Sequence, residues 1–294
     1  MDASIAGTAL TNICNIPNTI GVFSRAIIGI ETDMQSTERV LQLNKLREEE
    51  SESIKANYVI PPKTWPSTGS VEFIDFKFKY RRGLPMKLKG INAKIESKEK
   101  IGIAGRTGSG KSTLMAGILR IEEAYSGQIK IDGIDISTIP LDILRKQICI
   151  LPQEATLFSG SLKYNLDPRY EMTDEKLKNV LNRVECTNGL HDRVAEGGDN
   201  FSLGQRQLLC LARALLNGSK LLIMDEATAN IDIQTDKNIQ EMIRTNFNDV
   251  TVITVAHRLQ TIMDADRVMV FDNGMLKEME TPYNLIQDEK SKFN

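Results

Sequence analysis

The sequence has little net charge and few cysteines. The first feature argues against nucleic-acid binding, and the second argues against a metal site or a disulfide framework. Its 294 residues carry a net charge of -2 and a pI near 5.9. This balance lacks the basic excess of nucleic-acid-binding proteins, so no nucleic-acid partner is expected. The four cysteines are isolated: Cys14, Cys149, Cys186 and Cys210. Because neither a metal-ligand spacing nor a disulfide framework is present, we expect buried thiols in a reducing compartment.

An internal repeat and a basic N-terminal segment are missing as well. Without basic residues ahead of its apolar N-terminal stretch, the chain is not expected to carry a cleavable signal peptide. The rest of the composition is ordinary, since 41% of the residues are hydrophobic and 26% are charged. A chain of this length and composition can bury a core in one large domain or in two small ones.

The first region is uncharged from residue 3 to residue 24. This length suffices to cross a bilayer, yet Asn12, Asn15 and Pro17 help to make the stretch only weakly apolar. Two interpretations stay open: a membrane helix whose polar residues face other helices or a water-filled path, and a buried or interfacial helix. A helical pattern at 27–46 leads into a charge run, as in a helix that leaves a membrane.

A stretch rich in proline and small polar residues, 61–70, predicts an extended linker before a new domain. Alternating patterns then predict two strands at 71–80 and 87–95. The continuous apolar runs that begin at Leu221 and Val250 are typical of strands buried on both faces. Because helical segments follow these runs, we expect an α/β domain with a mostly parallel core sheet.

The most informative stretch is a glycine-rich turn that follows a β-branched run and opens into a helix. This order of strand, loop and helix is that of a phosphate-binding loop. Gly105, Gly108 and Gly110 allow successive N–H groups to converge on a polyphosphate. Lys111 would place a cation at the β- and γ-phosphates, and the Ser112 hydroxyl would be a ligand for Mg²⁺. The sequence therefore predicts a nucleotide site.

Two acids follow the run that begins at Leu221, where the edge of an open parallel sheet meets its ligand. Asp225 can hold Mg²⁺ directly or through water, while Glu226 can polarise the attacking water. Alone, such a pair is also a common strand terminus. Together with the phosphate-binding loop, it favours a catalytic function.

Residues 201–215 read Phe-Ser-Leu-Gly-Gln-Arg-Gln-Leu-Leu-Cys-Leu-Ala-Arg-Ala-Leu. With this signature segment, the chain resembles the nucleotide-binding domain of an ABC transporter. It is most similar to the second such domain of the multidrug-resistance-associated (C) subfamily, from about residue 71 onward. The resemblance implies a P-loop ATPase with a mostly parallel core sheet, an antiparallel β subdomain and a helical signature subdomain.

The resemblance also implies the domain organisation. Residues 1–55 resemble, more loosely, the last transmembrane helix of the subfamily and its cytoplasmic extension. We therefore expect a membrane helix remnant in 1–55, a linker in 56–70 and a nucleotide-binding domain in 71–294. The chain would then belong to an integral membrane protein with its ATPase domain in the cytoplasm, as the C-terminal piece of a longer transporter or a partial gene product.

Roles for single residues are implied in the same way. Tyr80 would stack on adenine, Gln153 would reach Mg²⁺ and the attacking water, and His257 would contact the γ-phosphate. Residues 229–232 would touch a second domain. The implied catalytic residues are Glu226, His257 and Gln153, and the Mg²⁺ ligands are Ser112, Gln153 and Asp225. ATP would be bound by Tyr80, Gly105, Arg106, Thr107, Gly108, Ser109, Gly110, Lys111, Ser112 and Thr113, and in trans by Ser202, Gly204 and Gln205.

The implied partners are a second ABC nucleotide-binding domain, in a homo- or heterodimer, and the transmembrane helices of the transporter.

Two departures from the family pattern concern the signature. Leu203 replaces the usual glycine, and the segment between Cys186 and Glu196 is several residues shorter than expected. The implied function is ATP hydrolysis that powers export, with each ATP sandwiched between two domains. Two alternatives to this function stay open: an ATP-gated regulatory module of a channel or receptor, and a soluble ABC ATPase.

Overall fold

In the computed structural model, the described residues are 3–44, 58–81, 83–225, 233–255, 259–288 and 291. The chain divides into two compact units, Met1–Lys55 and Ala56–Asn294. Glu226, His257 and residues 229–232 lie outside the described residues, so their predicted roles are taken up only as proposals.

The described part of the first unit is one helix, α1 (Ala3–Asn44), whose 42 residues include Pro17. It is long and apolar enough to cross a membrane, with a mean hydropathy of 1.3 in its most apolar window. The hydroxyl groups of Thr8, Thr11 and Thr19 donate to carbonyl oxygens four residues earlier. These bonds satisfy hydroxyl groups within the helix itself, which lowers their cost in apolar surroundings.

The second unit is built on a six-stranded sheet in which only the last strand is antiparallel. Its spatial order is β12-β11-β3-β10-β9-β6, and all neighbours except β11 and β12 are parallel. The strands are β3 (Lys100–Gly105), β6 (Ile148–Leu151), β9 (Leu221–Asp225), β10 (Thr251–Val255), β11 (Arg267–Asp272) and β12 (Met275–Glu280). The first four residues of β9 are all buried, as the apolar run predicted.

A smaller antiparallel sheet covers one side of the unit, in the order β2-β1-β4-β5. Its strands are β1 (Val71–Phe78), β2 (Leu88–Ile95), β4 (Ser126–Ile131) and β5 (Ile134–Asp135). A third, two-stranded sheet pairs β7 (Gly160–Ser161) with β8 (Arg193–Val194). The parallel core and the antiparallel subdomain confirm the expected fold class.

Helices connect these strands. They are α2 (Lys111–Ile118), α3 (Leu141–Gln147), α4 (Leu162–Leu166), α5 (Asp174–Arg183), α6 (Leu203–Asn217), α7 (Ile233–Asn246), α8 (Leu259–Met263) and α9 (Pro282–Gln287). Thr173 caps α5, and Gly218 ends α6 in the left-handed conformation with φ 63°. A buried cluster around α5 and α6 forms the core of the helical signature subdomain.

The cysteines correct one expectation from the sequence. Cys149 and Cys210 are buried, whereas Cys186 is half-buried and Cys14 is exposed on α1. Burial raises the pKa of the Cys149 thiol to about 12 and also raises the pKa of the Cys210 thiol. The two buried thiols are therefore protonated at neutral pH and act as small apolar groups.

The described part of the predicted linker at 56–70, residues 58–70, belongs to the second unit and contacts the rest of it. The Trp65 side chain is buried, and its Nε1 donates to Ile131 O at 3.0 Å. Asp132, in the turn between β4 and β5, accepts hydrogen bonds from the backbone N–H groups of Ser67, Thr68 and Ser70 at 2.7–2.8 Å. Composition predicted the break in secondary structure here, but it could not show these tertiary contacts.

Candidate functional site

The phosphate-binding loop lies between β3 and α2, as predicted. Gly110 has φ 114° and is the N-cap of α2, which no side chain caps. A Cβ atom added at Gly110 would lie 2.7 Å from Leu88 Cδ2, so larger residues are excluded there. Gly108 has φ 81°, and its missing side chain would point into open space. The helix end is thus open to an incoming anion.

Lys111 is buried, with 6% of its surface exposed. Its Nζ donates to Gly105 O at 2.7 Å and to Arg106 O at 3.3 Å. The ammonium group is therefore held within the loop, beside the N-terminus of α2. A cation and a positive helix end at one point favour a polyphosphate.

A cavity of about 290 Å³ lies beside this loop. Its lining residues are Tyr80, Lys87, Thr107, Gly108, Gly110, Lys111, Ser112 and Thr113. The Tyr80 hydroxyl is 3.2 Å from Thr113 Oγ1, and the Phe78 ring meets the Tyr80 ring edge to face, with 5.3 Å between centroids. The structure therefore brings Tyr80, which the family resemblance singled out, together with the phosphate-binding loop.

Lys87 lines the cavity and was missed by the sequence reasoning. Its backbone N–H donates to Phe78 O at 2.9 Å, which sets it beside the segment that leads to Tyr80. The signal that could have found it is its place directly before β2, which pairs with the strand that precedes Tyr80.

The carboxyl ends of the parallel strands place further predicted residues along one edge of the sheet. In β9 and β10, Asp225 pairs with Val255, and Val255 pairs in turn with Ile103 of β3. Leu151, the last residue of β6, pairs with Met224. Gln153, two residues after Leu151, therefore lies at the same edge. Because parallel strands end together, Asp225 and Gln153 lie on the side of the sheet where β3 leads into the phosphate-binding loop.

The oxygen atoms on this edge fit a hard cation. Ser112 offers a hydroxyl, Asp225 a carboxylate and Gln153 an amide oxygen, which are the ligand types that Mg²⁺ takes together with water and phosphate. Within the described part of the chain, no group of three or more His, Cys, Asp or Glu side chains could hold a metal ion. Three protein oxygens would leave the remaining coordination positions of such a cation to water and phosphate.

The signature segment is a separate helix end. Ser202 caps α6: its Oγ accepts from Gln205 N at 3.2 Å, and its backbone N–H donates to Gln205 Oε1 at 2.9 Å. Gly204 is packed against α7, since a Cβ atom there would lie 2.4 Å from Thr235 Cγ2. Leu203 is partly buried and packs against the apolar core of the helical subdomain. Its branched side chain is thereby accommodated within the protein.

Among the described residues that line the cavity beside the phosphate-binding loop, none belongs to the signature segment. Tyr80 and the loop come together in one chain, but Ser202, Gly204 and Gln205 do not join them there. Within the described ranges, the phosphate-binding loop and the signature end of α6 therefore do not line this cavity together.

The chain is similar to known proteins of one family. Residues 88–229 match the family model described as ABC transporter. The chain is 45% identical to the human ATP-binding cassette sub-family C member 2 over 294 residues, 98% of this chain and 19% of that protein. It is 42% identical to the metal resistance protein YCF1 of Saccharomyces cerevisiae over 301 residues, 100% of this chain and 20% of that protein.

The chain belongs to the ABC transporter family. The human relative is a member of ATP-binding cassette sub-family C, which confirms the expected family, and the similarity to an ABC exporter confirms the expected membrane location. A solved bacterial Atm1-family ABC exporter with ATP bound superposes with a TM-score of 0.75 at 27% identity, covering 88% of this chain and 46% of the exporter. This chain spans about one fifth of the length of these curated relatives.

Proposed function

We propose that this chain supplies an ATP-hydrolysing half-site to an exporter of the C subfamily. Residues 71–294 would form the nucleotide-binding domain, 56–70 the linker, and 1–55 the last membrane helix with its cytoplasmic extension. The observation that carries the proposal is the separation of the two phosphate-binding elements. An ATP held at the phosphate-binding loop would need the signature end of a second ABC domain to complete its site.

The proposed roles come from the family resemblance, and the positions of the described side chains support them. Tyr80 would stack on the adenine, and Lys111 with the N-terminus of α2 would hold the β- and γ-phosphates. Mg²⁺, near Ser112, Gln153 and Asp225, would offset the negative charge of the phosphates. Glu226, which follows Asp225 in the sequence, would accept a proton from the attacking water.

His257, two residues after Val255 in the sequence, would contact the γ-phosphate. On the partner domain, the residues that correspond to Ser202, Gly204 and Gln205 would face the outer oxygen of that phosphate. Residues 229–232 would lie at the contact between the two domains. Closure around ATP and reopening after hydrolysis would then move the membrane helices to which the domains are joined, and thereby drive export.

Complementation between two inactive variants tests this shared site. A Lys111→Ala chain and a Ser202→Asp chain should each hydrolyse ATP poorly as homodimers. Mixed in equal amounts, they should recover about a quarter of the wild-type rate, because half of the dimers are mixed and each mixed dimer has one intact site. The measurement is phosphate release, with light scattering to follow dimer formation.

No recovery on mixing, or a wild-type monomer whose rate per chain is independent of dilution, would overturn the shared site. The same assay separates hydrolysis from a gating role. Repeated turnover is expected here, whereas one round of ATP binding without turnover would contradict an export ATPase and favour a regulatory module.

A further inference from the structure

Gln207 is a completely buried polar residue in the helix that carries the signature segment. Its Nε2 donates to Pro152 O at 2.9 Å and to Gln153 O at 3.2 Å. These two carbonyl groups open the loop that follows β6. One amide group therefore joins α6 to the backbone of Gln153.

The neighbouring residues Leu209, Cys210 and Leu211 of α6 belong to a buried apolar cluster, and the buried Oε1 of Gln207 has no hydrogen-bond partner among the described residues. An unmet acceptor in a core makes the amide a poor choice for packing alone, since an apolar side chain of the same length would avoid that cost. Because two carbonyl acceptors lie on one side of the amide, its nitrogen is the atom that faces them. The amide thereby fixes the position of these two carbonyl groups of the loop.

The far end of the loop is bound to the same helix. Arg213 of α6 donates from Nη1 to Thr156 O at 3.2 Å and from Nη2 to Asn165 Oδ1 at 2.9 Å. Asn165 Oδ1 also accepts from Phe158 N at 2.8 Å. Residues 152–158 are thus held at both ends by side chains of α6, either directly or through one asparagine.

Between these ends, the loop alternates between the core and the solvent. Ala155 and Leu157 are buried in the apolar cluster that includes α6, while Gln153 and Glu154 are exposed. The buried pair fixes the loop to the helical subdomain, and the exposed pair faces outward. A displacement of α6 must therefore carry the Gln153 backbone with it.

We infer that Gln207 is a positioning residue that couples the signature end of α6 to the placement of Gln153. This inference rests on the proposed function. Gln207 does not touch the nucleotide; it acts by holding the Gln153 backbone. When the N-terminus of α6 engages an ATP held by a partner domain, Gln153 would be set in its own site in the same movement. The two sites of a dimer would then be linked through this amide.

The test uses the full 294-residue chain with Gln207→Met, which removes both donated hydrogen bonds but keeps the length and burial of the side chain. We expect the turnover number to fall about tenfold while KM for ATP changes less than about twofold, because only the placement of Gln153 is lost. Leu209→Met is the matched control, since Leu209 is also fully buried in α6 but has no polar group to lose. It should keep the wild-type rate.

A double-mutant cycle separates positioning from a general loss of packing. If Gln207 acts through Gln153, Gln207→Met should lower the rate less than about twofold in a Gln153→Ala background. Fully additive losses, or a Gln207→Met chain with wild-type turnover, would overturn the inference.

Hydrogen exchange gives a readout that does not depend on turnover. In Gln207→Met, the amides of residues 153–158 and of the first turn of α6 should exchange faster together, and ATP should protect them less than in the Leu209→Met control. Unchanged exchange in both segments would contradict the coupling. A wild-type chain without ATP turnover would instead contradict the proposed function, and the exchange result would then decide the inference alone.

Discussion

Two helix ends in the second unit show opposite solutions to the same problem. The first backbone N–H groups of any helix lack intrahelical partners. At α2, the cap is Gly110 and no side chain closes the end. At α6, Ser202 and Gln205 form a reciprocal capping box. The N-terminus of α2 is left open to a ligand, whereas the N-terminus of α6 is satisfied by the chain's own side chains.

This difference has a consequence for how ATP is bound. The end of α2 lies beside a buried lysine and a cavity, so a polyphosphate can bind there without displacing any capping side chain. At α6, a phosphate from a partner domain would have to share or replace the bonds between Ser202 and Gln205. Binding at the loop should therefore precede engagement of the signature, which needs a second chain.

The largest expected effect separates these two steps. Glu226→Gln should lower ATP turnover by about 10²–10³-fold, because the group that accepts the proton from water is lost. The affinity for ATP at the open end of α2 should stay close to the wild-type value. Dimers should accumulate in ATP, as the signature end remains engaged without hydrolysis. Phosphate release and light scattering measure the two outcomes, and unchanged turnover would remove Glu226 from its proposed role.

The next effect concerns the open helix end itself. Lys111→Ala removes the cation beside α2 and should weaken ATP binding by about 10–100-fold, the usual range for a lost charge-assisted hydrogen bond. Calorimetric titration of ATP into the variant checks this value. Thermal unfolding without nucleotide serves as the control for folding. An affinity equal to that of the wild type would mean that the helix end alone holds the phosphates.

A pair of substitutions at Ser202 separates capping from the function of the closed helix end. Aspartate is as good an N-cap as serine, so Ser202→Asp should keep the stability of α6 while its carboxylate repels the partner's phosphate and lowers turnover at least about tenfold. Ser202→Ala should instead lower the free energy of unfolding by about 1 kcal/mol. Urea unfolding and phosphate release test both. Wild-type turnover in Ser202→Asp would show that α6 does not meet phosphate.

The open end of α2 and the parallel sheet are features that the sequence alone could predict. Gly108, Lys111 and the strand before them predicted the open helix end, because a local pattern of glycine and lysine decides its geometry. The parallel sheet was predicted from its continuous apolar runs, since burial on both faces leaves that pattern. These features depend on neighbours along the chain.

Contacts between distant segments were beyond such patterns. The amide of Gln207 reaches the Gln153 backbone 54 residues away in sequence, and Trp65 reaches Ile131 across 66 residues. Lys87 enters the cavity only through strand pairing. Nothing in local periodicity encodes these meetings, because they depend on how strands and helices pack.

A third group of backbone N–H donors can be compared with the N-termini of α2 and α6. A substitution at its acceptor has the smallest expected effect. The N–H groups of Ser67, Thr68 and Ser70 converge on the Asp132 carboxylate, so here the chain supplies its own anion. Partial burial opposes ionisation of this carboxyl group, but hydrogen bonds from Thr68 and from neighbouring backbone N–H groups outweigh it and hold the pKa of Asp132 far below its usual value.

Because the pKa is lower in the folded chain, the stabilisation by Asp132 is complete above the unfolded-state pKa of about 3.9 and is lost as the pH falls below it. Asp132→Asn should therefore be less stable than the wild type at pH 7, and the difference should shrink below about pH 4. Asparagine tolerates the left-handed backbone that Asp132 adopts, with φ 48°, so backbone strain does not enter the comparison. Urea unfolding at several pH values measures it. A difference that is constant with pH would show that these N–H groups do not need a charged acceptor, and the contrast with the open end of α2 would then rest on geometry alone.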